Sequence, residues 1–397
     1  MRLPSRAPAS VIFLGNYDVP TSISGRFNDT PNRPVLDTAP GKDGAVNGRW
    51  TDPHCLVRSP WEAARTLVPG FQRLTGAQIL ATGSYVPENV VSNDDLRGLG
   101  CDAEWIVQRT GIQERRHAGK DQTTVDLAEQ AARRLFDISP APAAEIDMLL
   151  LATISPDRPM PSSACELQSR LGLACPAMDV VAACSGFIYA LVTGMSFVRA
   201  GLARHVLVVA SDTLSRWCDP RDPKIYPLFG DGAGAALIGP GNDEQGFLSV
   251  ALGAEGEGAE LLHVPGGGSR EPLTADGLAA GRQYMQMEGR QVFKWAVRRV
   301  AESCRRALEA ADLTSQDIRW VALHQANARI LDAALIDLGL DRDRSLTNLA
   351  RYGNTSGASM SLILDDAWRA GQLSPGDRLL FSGFGAGLSW GTGVFVV

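Results

Sequence analysis

The segment DVVAACSGFIYAL contains a cysteine whose sequence context is typical of a catalytic nucleophile. Cys184 ends a buried-strand pattern and directly precedes a helical one, so its sulfur is expected at a helix N-terminus, where the dipole and free N–H groups stabilise a thiolate. Most cysteines in apolar segments are inert core residues. Ser185 and Gly186 favour the nucleophile instead, because they let the backbone turn sharply and leave space at the sulfur.

Two further segments place polar residues where a strand ends or a turn opens. His324 lies in the strand pattern WVALHQ, and Asn354 lies in the glycine-rich turn RYGNTSGAS. Taken singly, His324 is typical of a hydrogen-bonded structural histidine, and Asn354 is typical of a turn residue or cap. The glycine loop GFGAGLSWG (383–391) is by itself typical of a tight hairpin. Together with Cys184 they offer a nucleophile, a neutral donor or base, a second donor and a backbone N–H for an oxyanion. The combination predicts nucleophilic catalysis.

Neither a metal nor a nucleotide cofactor is expected. The seven cysteines include no CxxC pair, and no histidine stands at zinc-ligand spacing. The segment FGDGAGAAL resembles a phosphate loop, but an apolar strand-like segment follows it in place of a helix with the required lysine or a ribose-binding acid. The sequence therefore predicts no metal and no cofactor.

Alternating apolar strands and helices must position these residues. Residues 77–245 and 246–397 show the same plan, since WVALHQ occupies the place of DMLLLAT and RLLFSGFG that of HVLVVASD. Such a repeat predicts an α/β fold of two similar halves with a site between them. Predicted strands are 77–87 with its turn, 147–153, 177–183, 205–212, 230–239, 246–255, 320–325, 378–385 and 385–397, and predicted helices are 102–109, 124–136, 161–171, 185–200, 288–311, 327–338 and 356–370.

Residues 1–76 differ in composition from the rest of the chain. They hold nine of the 23 prolines, no long periodic apolar pattern, and nine basic against six acidic residues. This composition predicts an irregular or disordered extension with one helical piece at 61–67, and it is not acid-poor enough for an organelle transit peptide. No residue of this extension is assigned to catalysis.

The overall composition is that of a folded protein. The chain of 397 residues is 45% hydrophobic and 21% charged, with a formal charge of −6. This balance excludes a disordered chain and indicates no nucleic-acid partner, and no apolar run approaches the ~18 residues of a membrane helix. The apolar stretch near the N-terminus is too short for a secretory core, so the expectation is a cytoplasmic protein with free thiols.

Residues 77–397 resemble β-ketoacyl-acyl-carrier-protein synthase III, the initiating condensing enzyme of bacterial fatty-acid synthesis. The resemblance implies the thiolase fold, with two duplicated α/β halves in a five-layered αβαβα arrangement, and a homodimer. The segments that carry it are ATGSYVPENVVSNDDL, DAEWIVQRTGIQERR, PSSACELQSRLG, DVVAACSGFIYAL, FGDGAGAA, HQANARI, YGNTSGAS and FGAGLSWG.

The resemblance also implies the chemistry. Cys184 takes an acyl group from a short acyl-CoA, and His324 and Asn354 stabilise the enolate that forms as malonyl-acyl-carrier protein loses CO2. The carbanion attacks the thioester on Cys184, and backbone N–H groups of Cys184 and Ala386 hold the tetrahedral oxyanion. A non-decarboxylating thiolase would have a second cysteine in the C-terminal glycine loop, and GFGAGLSWG has none.

Binding residues follow from the same resemblance. Trp105 and Arg109 correspond to residues that flank the CoA adenine, although Trp105 also fits a core anchor on its helix. Met160 corresponds to the position that shapes the acyl pocket from across the dimer, and its flexible side chain leaves the chain length open. Arg329 and Lys294 correspond to basic positions that dock the carrier protein.

Two departures from the family pattern keep a second hypothesis open. Pro223 stands where the family commonly has an arginine near the CoA phosphates, with Arg221 or Lys224 as substitutes. Ile336 and Asp337 replace a basic pair on the docking helix, where Arg290, Arg298 and Arg299 could compensate. The alternative is a secondary-metabolism relative that transfers an acyl group to another carbon, nitrogen or oxygen acceptor. A non-enzymatic scaffold is disfavoured because all three catalytic motifs are intact.

Overall fold

The structure is a computed structural model that describes residues 70–397, so the helical piece expected at 61–67 lies outside the described residues. Strands and helices alternate along most of this range, as the apolar pattern predicts. The strands are β1 (Gln72–Thr75), β2 (Ala77–Tyr85), β3 (Val90–Ser92), β4 (Glu114–Arg116), β5 (Met148–Ala152), β6 (Ala177–Val180), β7 (Val206–Asp212), β8 (Gly232–Pro240), β9 (Gly246–Ala254), β10 (Leu262–His263), β11 (Gln286–Met287), β12 (Trp320–Leu323), β13 (Arg378–Gly385) and β14 (Ser389–Val396). The helices are α1 (Ala103–Thr110), α2 (Thr124–Phe136), α3 (Ser163–Arg170), α4 (Gly186–Arg199), α5 (Ala275–Ala279), α6 (Gly289–Ala310), α7 (Ala328–Leu338), α8 (Leu349–Tyr352) and α9 (Ala358–Arg369).

Ten of these strands form two five-stranded sheets, and four strands of one sheet match four of the other in order and direction. The first sheet has the order β2-β8-β7-β5-β6, and the second has the order β1-β9-β14-β13-β12. β5 runs parallel to β7, and β12 runs parallel to β13, whereas β8 and β14 are antiparallel to both of their neighbours. β12 therefore takes the place of β5, β13 that of β7 and β14 that of β8, which confirms the internal repeat. The division between residues 245 and 246 stays a prediction, which the gap between β8 and β9 supports.

Helices cover both faces of each sheet and create five layers. α2 and α3 pack on the outer face of the first sheet, α4 and α9 lie between the sheets, and α6 and α7 cover the outer face of the second. The alternation within β7 shows the cause, because Val206 and Val208 pack toward the middle helices while Leu207 and Val209 pack toward α2. The expected five-layered α/β arrangement is confirmed.

The helix that follows Cys184 is the central one, as its apolar composition predicts. Phe187, Ile188, Leu191 and Met195 of α4 are fully buried between the two sheets. A helix held on all sides cannot shift without breaking this packing. The N-terminus of α4, and Cys184 just before it, are therefore held at a constant position between the two halves.

One correction concerns the start of the folded unit. The segment expected to be irregular up to residue 76 contains β1, which pairs antiparallel with β9, for example Leu74 with Phe247. Leu74 also packs against the core between the sheets. A four-residue strand is too short to show periodicity in the sequence, so only its pairing with β9 reveals it.

Two element boundaries differ near the expected site. The helix predicted from residue 356 begins at Ala358, because residues 354–357 form a turn in which Ser356 has a φ of 53°. The strand predicted from residue 385 begins at Ser389, because a 3₁₀ turn over Ala386–Leu388 precedes it. The second turn places Ala386 and Gly387 beside Cys184 rather than in a regular element.

Candidate active site

Cys184 lies in a single 3₁₀ turn, Ala183–Ser185, between β6 and α4. Ala183 has a φ of 47°, in the left-handed region, so the chain turns sharply just before the cysteine. A Cβ on Gly385 would lie 2.6 Å from the backbone nitrogen of Cys184. β13 can therefore pass behind the cysteine only because residue 385 is a glycine.

Burial decides the protonation state of Cys184. Loss of water around the sulfur raises the pKa of the thiol to about 12; the Asp212 carboxylate adds to this shift, and the Ser356 hydroxyl opposes it. Desolvation thus opposes the thiolate stabilisation that was expected from the start of α4. Cys184 rests as a thiol and needs a proton acceptor to react.

His324 directly follows β12 and is 1% exposed. Its Nδ1 lies 2.6 Å from the hydroxyl of Ser359, and the Gln325 N–H donates to the same oxygen at 3.3 Å. A Ser359 proton donated to Nδ1 would place the ring proton on Nε2, where it could be donated. Burial lowers the pKa of His324 to about 3, so the ring is neutral at neutral pH.

The turn that carries Asn354 is held by the neighbouring loop. Its N–H donates to the carbonyl of Leu228 at 2.9 Å, and its carbonyl accepts from the Gly230 N–H at 3.0 Å. Its Oδ1 accepts from the backbone N–H of Ser356 at 2.9 Å. This leaves the Nδ2 protons of Asn354 to serve as a second neutral donor.

Cys184, His324 and Asn354 line one small cavity of about 110 Å³. Phe384 and Phe229 also line it, and the ring of Phe384 meets His324 edge-on with ring centres 5.1 Å apart. The three polar residues come from three separate turns, each at the end of a strand or the start of a helix. The fold thus brings one thiol and two neutral donors to the same water-poor space.

A second and larger cavity, of about 560 Å³, also reaches Cys184. Ala386 and Gly387 line it beside the cysteine, in the turn between β13 and β14. Apolar side chains form most of its wall, among them Leu214 and Met285. Cys184 is therefore shared between a small polar cavity and a large apolar one.

Three polar side chains of this larger cavity already have partners. The Tyr189 hydroxyl donates to a backbone carbonyl at 2.8 Å, and the Ser389 hydroxyl donates to backbone carbonyls at 3.0 Å. His263 Nδ1 lies 3.0 Å from the carbonyl of Glu260. The cavity consequently presents a hydrocarbon surface, which suits an alkyl chain better than a polar group.

Trp105 and Arg109 lie one turn apart on α1. Trp105 is 42% exposed, which removes the alternative of a core anchor, and the Arg109 guanidinium carbon lies 5.7 Å from its ring centre. The Arg109 carbonyl accepts a hydrogen bond of 3.1 Å from Asn327, which lines the small cavity. The exposed tryptophan–arginine pair is thus tied to the rim of that cavity.

Met160 lies before α3 and is 83% exposed. It lines neither of the two cavities of its own chain. Val181, which lines the larger cavity, is 76% exposed, so this cavity opens to the surface just after β6. β6 is an edge strand of the first sheet.

Basic residues lie near the rim of the small cavity. Arg329, exposed on α7, has its guanidinium carbon 5.3 Å from the ring centre of Phe293, which lines the cavity. Lys294 follows Phe293 on α6 and is exposed, and Arg290 and Arg298 flank it at four-residue spacing. α6 therefore carries three exposed positive charges along one side.

Two other charged residues on these helices form ion pairs within the chain. Arg299, a candidate to compensate for missing basic residues, pairs with Glu255 and Glu302 and is not available to a partner. Asp337, which makes the docking helix less basic, pairs with Arg305. The departure at residue 337 is thus neutralised within the chain.

Three polar residues of this site were not predicted from the sequence. Ser356 and Ser359 follow Asn354 in the segment GNTSGAS, and Asp212 ends β7. The serines are typical turn and cap residues, and only contacts across the fold show that they face Cys184 and His324. A serine-rich turn after a candidate catalytic asparagine was the one available signal.

Neither a metal-binding cluster nor a membrane-spanning helix is found in residues 70–397. No group of three or more histidine, cysteine, aspartate or glutamate residues there could hold a metal ion. Within the same range, no helix is long and apolar enough to span a membrane.

Two family models match parts of the chain. The model described as 3-oxoacyl-[acyl-carrier-protein] synthase III matches residues 178–256, and the model of the C-terminal part of the same enzyme matches residues 308–397. The first range contains Cys184, and the second contains His324, Asn354 and Ala386.

Curated proteins and solved structures give the same family. A β-ketoacyl-[acyl-carrier-protein] synthase III of Rhodopirellula baltica is 52% identical over 340 residues, which cover 81% of this chain and 99% of that protein. A protein of the same name from Caldanaerobacter subterraneus is 43% identical over 320 residues, covering 80% of this chain and 97% of that protein. The crystal structure of the Thermus thermophilus enzyme is 43% identical, with a TM-score of 0.75, over 81% of this chain and 99% of that one.

Proposed function

Because this chain belongs to the β-ketoacyl-acyl-carrier-protein synthase III family, we propose that it joins an acyl-CoA starter to malonyl-acyl-carrier protein, giving 3-oxoacyl-carrier protein and CO2. The family places it among the initiating condensing enzymes of fatty-acid synthesis, and favours that role over the secondary-metabolism alternative. The observation that carries the proposal is the meeting of Cys184, His324 and Asn354 in one buried cavity.

The first half-reaction is acyl transfer to Cys184. The cysteine sulfur attacks the thioester carbon of the acyl-CoA, the bond from that carbon to the CoA sulfur breaks, and the thiol proton is passed on so that free CoA leaves as a thiol. The oxygen of the tetrahedral intermediate carries a negative charge. We assign its stabilisation to the backbone N–H groups of Cys184 and Ala386, which flank the larger cavity beside the sulfur.

The second half-reaction begins with loss of CO2 from malonyl-acyl-carrier protein. The electron pair of the broken carbon–carbon bond moves onto the thioester oxygen and forms an enolate. His324 Nε2–H and Asn354 Nδ2–H would donate hydrogen bonds to that oxygen. Both donors are neutral, so they can bind the malonyl thioester without an ion pair that would hold the carboxylate. The enolate carbon then attacks the acyl group on Cys184, and the cysteine leaves as a thiolate.

The acyl chain of the starter is assigned to the larger cavity. That cavity reaches Cys184 and presents hydrocarbon, since its polar side chains are bonded within the protein. In a homodimer, Met160 of the partner chain would close the opening beside Val181 in this scheme. The edge strand β6 and the exposure of both side chains support such an interface.

The substrates are proposed to enter at the rim of the small cavity. Trp105 and Arg109 are proposed to hold the CoA adenine by stacking. Arg329 and Lys294, with Arg290 and Arg298 beside them, are proposed to attract the acidic carrier protein. Lys224 is exposed and has no ion-pair partner in residues 70–397, whereas Arg221 is bound by Asp219, so Lys224 is the better substitute for the missing arginine at Pro223.

A cytoplasmic location stays a prediction.

Intact-mass spectrometry of Cys184 together with CO2 release tests this function. The protein should gain one acyl group from acyl-CoA and release CO2 when malonyl-acyl-carrier protein is added, and Cys184→Ala should abolish the acylation. Cys304→Ala removes another buried thiol and should leave both readouts unchanged. Absence of CO2 release with every acyl-CoA would contradict the proposal, and a preference for carrier-bound donors would favour the secondary-metabolism alternative.

A further inference from the structure

Arg115, in the middle of β4, is a buried arginine without an acidic partner. Its side chain is fully buried, and its guanidinium forms no ion pair within residues 70–397. Burial lowers the pKa of Arg115 to about 10, so the group still carries its charge at neutral pH. A buried charge is costly unless it is paired. The position of this arginine therefore requires an explanation.

Three neutral oxygens hold the guanidinium of Arg115. Nη1 donates to the carbonyl of Val91 at 3.1 Å, and Nη2 donates to the side-chain oxygen of Asn93 at 2.8 Å. Nη2 also donates to the carbonyl of Pro227 at 2.6 Å, across 112 positions of the chain. Hydrogen bonds from a charged donor are among the strong ones in proteins. Arg115 thus fastens Pro227 to the small sheet of β3 and β4.

The three residues after Pro227 hold the backbone of Asn354. The Leu228 carbonyl accepts the Asn354 N–H at 2.9 Å, and the Gly230 N–H donates to the Asn354 carbonyl at 3.0 Å. Phe229, between them, forms a parallel β-bridge with Asn354 and lines the small cavity with it. The position of the Asn354 side chain in that cavity therefore depends on the segment that Arg115 fastens.

The stem of the Arg115 side chain also lies against both segments of this bridge. A Cβ on Gly230 would lie 3.2 Å from the Cβ of Arg115, and a Cβ on Gly353 would lie 3.3 Å from it. Gly353 has a φ of 64°, and a Cβ there would also lie 2.9 Å from the Leu228 carbonyl oxygen. Both segments approach Arg115 this closely because these two residues are glycines.

We propose that Arg115 is a positioning residue for decarboxylation, a role that rests on the function proposed above. By holding Pro227, it keeps Asn354 where its Nδ2 can donate to the oxygen of the forming enolate. Such donors are effective only when they are aimed in advance at the atom on which charge develops. Cys184 lies on another turn, before α4, to which Arg115 forms no hydrogen bond among the described residues. Acylation of Cys184 should therefore not depend on Arg115.

Separate assays of the two half-reactions test this role. Arg115→Lys keeps the charge, but a single ammonium group cannot reproduce the planar fork that reaches all three oxygens. CO2 release from malonyl-acyl-carrier protein should fall about tenfold, the worth of one hydrogen bond. Acylation of Cys184 by acetyl-CoA, followed by intact mass, should keep the wild-type rate.

Arg344→Lys is the matched control. Arg344 is a half-buried arginine that likewise donates to a backbone carbonyl, that of Ile318 at 2.7 Å, and it lines neither cavity. Its substitution should leave both half-reactions unchanged. A similar loss of CO2 release in this control would show that the effect is not specific to Arg115.

A double-mutant cycle with Asn354→Ala separates positioning from a general effect on the fold. Without the Asn354 amide no donor remains to be misplaced, so adding Arg115→Lys should lower CO2 release by less than about twofold. Additive losses would overturn the proposal, and so would a loss of acylation in Arg115→Lys, which also covers a failure to fold. If the wild-type protein itself releases no CO2, the proposed function fails, and the role of Arg115 with it.

Discussion

Ser359 Oγ lies 2.6 Å from Nδ1 of His324, a contact between two residues 35 positions apart. The Gln325 N–H donates to the same hydroxyl, which leaves the Ser359 proton available to Nδ1. A ring that accepts this proton at Nδ1 carries its own proton on Nε2 and can donate it, which the enolate requires. Ser359 is thus a positioning residue for the decarboxylation half of the reaction.

Ser359→Ala is expected to slow CO2 release from malonyl-acyl-carrier protein by about tenfold, the worth of one hydrogen bond. Acylation of Cys184 should be unchanged, because that step does not use His324 Nε2. Stopped assays of the two half-reactions measure the difference. Equal slowing of both steps would indicate a general loss of structure instead of a lost tautomer.

His324 predicts a dependence of stability on acidic pH. Its pKa is about 3 in the folded protein against an ordinary 6.5, so below pH 6.5 the unfolded chain binds a proton that the folded chain does not. Stability must therefore fall as the pH is lowered, by about 2 kcal/mol between pH 6.5 and 5 from this residue alone. Urea unfolding of wild type and His324→Gln at the two pH values isolates this contribution. Identical losses in both proteins would contradict the assignment.

The exposed charges on α6 predict a salt-dependent contact with the carrier protein. Lys294→Glu and Arg298→Glu should each raise the KM for malonyl-acyl-carrier protein about tenfold at low salt, with little change in kcat. The effect should shrink near 0.5 M salt, where the screening length falls below the reach of these charges. Arg204→Glu, an exposed arginine just before β7, serves as the charge-matched control. A similar rise in that control would assign the effect to net charge.

The larger cavity predicts control of acyl-chain length. Ala259 lines it from an exposed position, so Ala259→Phe should fill space without disturbing the core. Each methylene that loses its apolar site should cost about fourfold in affinity, so acylation by octanoyl-CoA should fall well over tenfold relative to acetyl-CoA. Ala279→Phe, on the exposed helix α5, should change neither rate. An unchanged ratio in Ala259→Phe would place the acyl chain elsewhere.

The exposed Trp105 is expected to contribute to the affinity for acyl-CoA by stacking. Trp105→Ala should raise the KM for acyl-CoA about tenfold through loss of stacking on the adenine, and Trp105→Phe should recover much of it. The KM for the carrier-bound substrate should not change. Steady-state kinetics with each substrate varied in turn separate the two. An effect on both substrates alike would indicate that α1 shapes the common entrance instead.

Much of the architecture was predictable from local pattern. Helices at 102–109, 124–136 and 327–338 were placed within a residue of α1, α2 and α7, because amphipathic spacing and capping residues act over a few positions. Strands buried on both faces were recognised as apolar runs of five to eight residues. The short strand β1 escaped, since its only signal is pairing with β9, more than 170 residues later.

The sequence by itself determined the alternation of strands and helices, their duplication, and the chemical types that stand at the strand ends. Cys184, His324 and Asn354 could be named because each follows or opens a recognisable element. Only the tertiary structure shows their surroundings: burial raises the pKa of the Cys184 thiol, and Ser359 lies against Nδ1 of His324. The physical reason is that protonation depends on desolvation and on neighbours brought together by folding, and neither quantity is encoded in local spacing.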